Sequence, residues 1–111
     1  MSGQYHEFCI MPEPPVSGKR YDEYEPHKYS DIITIHDDDL LTIDYGGSID
    51  FFWHTTDISG KGLAAYGITL ISPDAAQALA ELLPADDAFL ELGGLLRTAI
   101  SQNKYVIHFG I

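Results

Sequence analysis

The chain has a single cysteine, Cys9, among its 111 residues. One thiol cannot form an internal disulfide, so a small secreted scaffold held by cross-links is excluded. Basic residues are scarce: six Lys and Arg stand against seventeen Asp and Glu, giving a net charge of −11 with neutral histidines. Such a field repels phosphate backbones and anionic membranes and attracts basic proteins, so neither nucleic acid nor membrane is an expected partner. No apolar run approaches the roughly 18 residues of a membrane-spanning helix. The first residues, Met1-Ser2-Gly3-Gln4-Tyr5-His6-Glu7, carry neither the basic nor the apolar part of a signal peptide, and the expected location is the cytoplasm. Internal repeats and low-complexity tracts are also missing.

What is present suffices for one modest core. Hydrophobic residues make up 45% and aromatics 12%, which argues against disorder, and the length fits a single domain spanning 1–111. The charge is uneven along the chain. Residues 1–57 hold twelve acids against three bases, whereas 58–111 hold five against three.

The pattern predicts an α+β fold, with a mostly antiparallel sheet of about five strands and two helices packed on one face. Tyr5–Met11 reads as a short strand, or as part of an extended N-terminal arm over 1–20, because Pro12, Pro14 and Pro15 follow it. Residues 21–29 read as an acidic surface loop. Asp31–His36, Leu41–Tyr45 and Ile49–His54 read as three strands in a meander, with Asp37-Asp38-Asp39 and Gly46-Gly47-Ser48 as its turns. Ser59–Gly62 is a further turn, and Leu63–Ile71 a central strand in which Gly67 marks a bulge or a close contact. Ser72-Pro73-Asp74 opens a helix that Pro84 ends, with Ala75, Ala76, Leu79, Leu82 and Leu83 on one face. Asp86 or Asp87 caps a second helix, carrying Phe89, Leu92, Leu96 and Ile100 in one stripe. Gly93-Gly94 inside it either permits close approach to the sheet or breaks the helix. Lys104–Ile111 closes the fold as a strand that must be paired or covered.

Few constellations have the parts that chemistry requires. His36-Asp37-Asp38-Asp39 offers cation ligands, but adjacent turn residues rarely converge on one ion, and the spacing of a calcium loop is missing. His54 with Asp57 suggests a general base, yet nothing in sequence supplies a nucleophile or an oxyanion site. Cys9 carries no thiol-enzyme signature, and one Cys with scattered His lacks zinc spacing. Gly60-Lys61-Gly62 and Gly46-Gly47 match neither a phosphate loop nor a dinucleotide fingerprint. No catalytic residue, metal or cofactor is therefore expected, and the chain reads as a non-enzyme.

The most informative cluster is Tyr21, Asp22, Glu23, Tyr24, Glu25 and Tyr29, joined by Asp37, Asp38 and Asp39. Tyrosine supplies contact area with one polar tip, and neighbouring carboxylates pair with Arg and Lys. These nine residues are the expected partner-binding set. The alternative is an acidic loop whose tyrosines lie back on the sheet.

With Tyr-Asp-Glu-Tyr-Glu at 21–25 and Asp-Asp-Asp at 37–39, the chain resembles bacterial immunity proteins of contact-dependent inhibition and related polymorphic toxin systems. Tyr24–Ile71 carries most of the resemblance, and no site residue is carried over from it. The resemblance implies a stoichiometric inhibitor that binds a cognate toxin domain, commonly a nuclease, and covers its active site or substrate groove. Basic nucleases make this physically sensible, since a carboxylate surface competes for the phosphate site and speeds association. Three rivals stand beside it. A nucleic-acid-mimicking inhibitor would spread acids along a whole face. A small metal- or histidine-dependent enzyme would rest on His36 or His54. A structural accessory subunit would leave Tyr105–Ile111 free to pair with another chain.

Overall fold

Six short strands form one open sheet, and every neighbouring pair in it is antiparallel. The structure, a computed structural model, describes residues 4–29, 32–44, 47, 49–64 and 67–110. The strands are β1 (Tyr5–Ile10), β2 (Ile33–His36), β3 (Phe51–Trp53), β4 (Ser59–Gly60), β5 (Ile68–Ile71) and β6 (Val106–Phe109). Their order across the sheet is β2-β1-β6-β5-β3-β4. The helices are α1 (Asp37–Leu40), α2 (Pro73–Leu82) and α3 (Leu90–Gln102), so a one-turn helix adds to the expected pair.

The expected meander does not form. β2 pairs with β1, and three strands separate it from β3. The expected Asp37–Asp39 turn is the start of α1, where three carboxylates sit in the first turn at the positive end of the peptide dipoles. His36 caps this turn, its Nδ1 accepting from the Asp38 N–H at 3.1 Å. The strand expected at Leu41–Tyr45 is replaced by further turns: Thr42 N–H bonds Asp39 O and Ile43 N–H bonds Leu40 O, each at 3.1 Å. Leu40 and Ile43 are buried while Leu41 is exposed, so the burial follows a turn-like spacing of three, not an alternation of two. Tyr45, Gly46 and Ser48 lie outside the described residues, as does Asp31.

β1 lies inside the sheet, and residues 12–20, which follow it, form neither helix nor strand. β5 and β6 hold the centre, and all four residues of each are buried. β6 is held on both sides, Cys9 facing Ile107 from β1 and Leu70 facing it from β5. That strand is not free to recruit another chain, which removes the ground for the accessory-subunit reading.

The pleat gives the sheet two apolar faces. Phe8, Phe51, Ile71 and Val106 point toward α2 and α3 and meet Ala76, Leu79, Leu92 and Leu96. On the opposite face Cys9, Ile68, Leu70, Ile107 and Phe109 form a second cluster, covered in part by Tyr21, Tyr29 and Tyr105. The helices begin as expected: Ser72 Oγ accepts from Ala75 N–H at 3.1 Å, and Asp86 Oδ1 accepts from Ala88 N–H at 3.0 Å. Asp86 caps a 3-10 turn, Asp87–Phe89, that leads into α3. The glycine pair does not interrupt α3, which ends at Asn103 in the left-handed region at φ 55°.

Candidate functional site

The acidic, tyrosine-rich segment crosses the sheet face opposite α2 and α3. Tyr21 N–H bonds His54 O at 2.6 Å and ties its start to the end of β3. Pro26–Lys28 makes a single 3-10 turn with Pro26 buried, and Lys28 pairs with Glu25 at 3.0 Å. The three tyrosines separate by role. Tyr21 and Tyr29 pack on the second cluster, and burial pushes the Tyr29 phenol up. Tyr24 is 61% exposed, donates its hydroxyl to Glu7 Oε1 and stands edge-on to Phe109 at 5.5 Å. Glu7 holds the Tyr24 phenol up at about 12, first through this hydrogen bond. The lie-back alternative thus describes Tyr21 and Tyr29, and the exposed-contact expectation describes Tyr24, Asp22 and Glu23.

Beside Tyr24 a recess of about 420 Å³ opens, walled by Tyr5, Tyr24 and Phe109 and edged by Glu7, Asp22 and His54. His54 has a positive φ of 65°, sparsely populated by a residue with a Cβ. Its backbone is fixed there from both sides, N–H to Ile68 O at 2.9 Å and O from Tyr21 N–H. Its expected partner, Asp57, is not the one it takes: His54 Nδ1 lies 2.8 Å from Asp22 Oδ1. Nδ1 also bonds Tyr21 O at 3.4 Å, and since both oxygens can only accept, Nδ1 carries the hydrogen and, in the neutral form of the ring, Nε2 holds the lone pair. Nε2 sits over Gly67, where an added Cβ would come within 2.6 Å. A side chain at this position would therefore displace the His54 ring. Arg20 also grips Asp22 at 2.9 Å, and this bond, ahead of the charges of Arg20 and His54, holds the Asp22 carboxyl below its usual range.

The acid triplet divides as well. Asp38 is exposed to solvent, with 83% of its side chain accessible, and Asp39 is half-buried. Asp37 turns inward, toward the helix side of the sheet, where its Oδ1 accepts from His6 Nε2 at 2.7 Å. His6 Nδ1 meets His108 Nε2 at 2.7 Å, and His108 Nδ1 meets Thr69 Oγ1 at 3.1 Å. Thr69 Oγ1 accepts from Ala64 N–H at 2.8 Å. Thr69 and His108 are fully buried and His6 is 2% exposed. Burial, then the neighbouring His6, pushes His108 down to about 3, so the ring stays neutral at ordinary pH.

A continuous strip emerges on the surface. Tyr24 bonds Glu7; Glu7 and Tyr5 alternate onto the same face of β1; the Tyr5 ring stands edge-on to His36 at 5.1 Å; and His36 caps the turn that bears Asp38. The segment around Asp22–Glu25 and the Asp38 turn, which are separate in sequence, are thereby joined. Tyr5 and Glu7 were not among the expected binding residues. Their alternation with buried His6 and Phe8 is the signal that would have placed them together on one face. Cys9 is buried, and burial followed by the Glu7 charge pushes its thiol up to about 11, as suits an inert core cysteine. Among the described residues, no three His, Cys, Asp or Glu side chains are grouped so as to hold a metal ion, and no helix is long and apolar enough to cross a membrane.

No family model matches this chain, and neither a curated protein nor a solved structure does.

Proposed function

We propose that the protein is a stoichiometric inhibitor of the immunity type, acting in the bacterial cytoplasm by binding a basic toxin domain, with no catalysis of its own. The observation that carries this reading is the strip Asp22–Tyr24–Glu7–Tyr5–His36–Asp38, which sets carboxylates beside the exposed rings of Tyr24 and Tyr5. A net charge of −11 surrounds it, which accelerates encounter with a basic surface. Tyr24 and Tyr5, 61% and 47% exposed, are the anchors that such an interface buries. A basic nuclease is the expected class of toxin, since its phosphate groove is the surface that carboxylates occupy best.

Co-expression with the C-terminal domain of the protein encoded immediately upstream tests the reading. A stable complex at low salt, lost as salt rises, is the expected result; failure to co-purify at low salt refutes it.

A second reading, a small histidine-dependent enzyme, draws support from the Asp22–His54 pair at 2.8 Å and the positive φ of His54. It requires turnover without a protein partner, abolished in His54→Ala.

A further inference from the structure

We infer that the recess between Tyr24 and His54 is a socket for one arginine side chain of the basic partner. This deepens the inhibitor reading and rests on it for the source of the arginine, but the chemistry of the socket is its own. Glu7 gives one lone pair to the Tyr24 hydroxyl and keeps others open. His54 uses its Nδ1 hydrogen on Asp22 and Tyr21 O, which leaves Nε2 of the neutral ring, beside Gly67 at the edge of the recess, as an acceptor. The Tyr24 hydroxyl already donates to Glu7, so it has no hydrogen left for a ligand. The recess therefore offers acceptors above all, between the rings of Tyr5, Tyr24 and Phe109.

A guanidinium answers this arrangement better than an anion or an ammonium. It is planar, carries five N–H donors and no acceptor, and stacks on aromatic rings. An ammonium would satisfy the charge but has no flat face to lay on the exposed rings of Tyr24 and Tyr5. An anion would meet Glu7 and Asp22 with nothing to neutralise them except Arg20, which Asp22 already holds. At about 420 Å³ the recess lies toward the lower end of the range for ligand sites, enough for a side chain and not for an extended molecule. Gly67 keeps it open, because a Cβ there would press on His54 and move the acceptor nitrogen.

The test is a nuclear magnetic resonance titration of the intact protein with N-acetyl-arginine amide at pH 8, following the His54 and Phe109 ring signals. N-acetyl-citrulline amide, which has the same shape without the charge, is the control. The expected result is saturable shifts with a Kd in the millimolar range usual for so small a ligand. Citrulline should bind at least about tenfold more weakly, and Glu7→Gln should weaken arginine by about tenfold. Glu91→Lys, an exposed position of α3 on the opposite side of the sheet, should leave the shifts within about twofold. Equal shifts from citrulline, or no saturation by arginine, overturn the socket. A toxin complex that forms without any arginine response refutes the socket and spares the inhibitor reading. A clean arginine response without any toxin complex refutes that reading and spares the socket.

Discussion

At the scale of the residue, the buried chain from Ala64 to Asp37 fixes every proton in it. The neutral His108 ring carries its hydrogen on Nε2, facing His6, so its Nδ1 accepts the Thr69 hydrogen, while Ala64 N–H takes a lone pair of Thr69 Oγ1. His108 then donates from Nε2 to His6 Nδ1, and His6 donates from Nε2 to the Asp37 carboxylate. All donors point one way, and among the described residues no buried side-chain nitrogen or oxygen is left without a partner. The folded state holds His108 near 3 against an ordinary value of 6.5. A depressed pKa contributes stability above the unfolded value, and that stability is lost as pH falls from about 6.5 toward 3. His108→Gln should cost about 1–3 kcal/mol at pH 7, from the broken bonds. The stability gap between the wild-type protein and this variant should narrow below pH 6.5, by at most about 1.4 kcal/mol per pH unit. Urea midpoints at pH 7, 6, 5 and 4 measure it, and a gap that widens on acidification would refute the neutral-ring assignment. The sequence shows His6, Asp37, Thr69 and His108 as unrelated polar residues. Nothing local marks Asp37 as different from Asp38, because what separates them is a histidine 31 positions away.

At the scale of the element, local signals were legible and long-range pairing was not. The Ser72 and Asp86 caps, the β-branched run of β2 and the apolar run of β5 are each dictated by residues within a few positions. Strand order is different: β1 reaches β6 through Phe8 facing His108, across nearly the whole chain, and no period in the sequence encodes that choice. The failed meander has the same origin, since an alternation such as Leu41-Thr42-Ile43-Asp44 also fits turns that bury Leu40 and Ile43. Two glycines give opposite expectations. An added Cβ at Gly60 would overlap the Trp53 ring, so Gly60→Ala should displace the indole and cost about 1–3 kcal/mol, seen as a lower melting temperature and altered tryptophan fluorescence. At Gly94 an added Cβ meets nothing within 4 Å, so Gly94→Ala should stabilise α3 by roughly 0.5–1 kcal/mol. A destabilised Gly94→Ala would mean that α3 is more tightly covered than its described surroundings allow.

At the scale of the whole molecule, the uneven charge acquires a location. The C-terminal half supplies β5, β6, α2 and α3, the centre of the sheet and the helical layer. The N-terminal half supplies β1, the segment that crosses the opposite face, and α1, and these bear the exposed acids and rings of the strip. Composition alone announced the acidic field, but the continuity of the strip needed Tyr5 and Glu7 to stand between two clusters, which only the folded chain arranges. Reversing charge at exposed positions should therefore act on encounter and leave the fold intact. Glu23 and Asp38 suit this better than Asp37, whose carboxylate His6 requires. The most direct measurement is the association rate with the upstream-encoded toxin domain, for the wild-type protein and for Glu23→Lys with Asp38→Lys, at low and high salt. The expected result is an on-rate lowered by roughly tenfold or more in the double variant at low salt, with the two proteins converging as salt screens the field. An on-rate unchanged by both the substitutions and the salt would contradict an acidic docking strip.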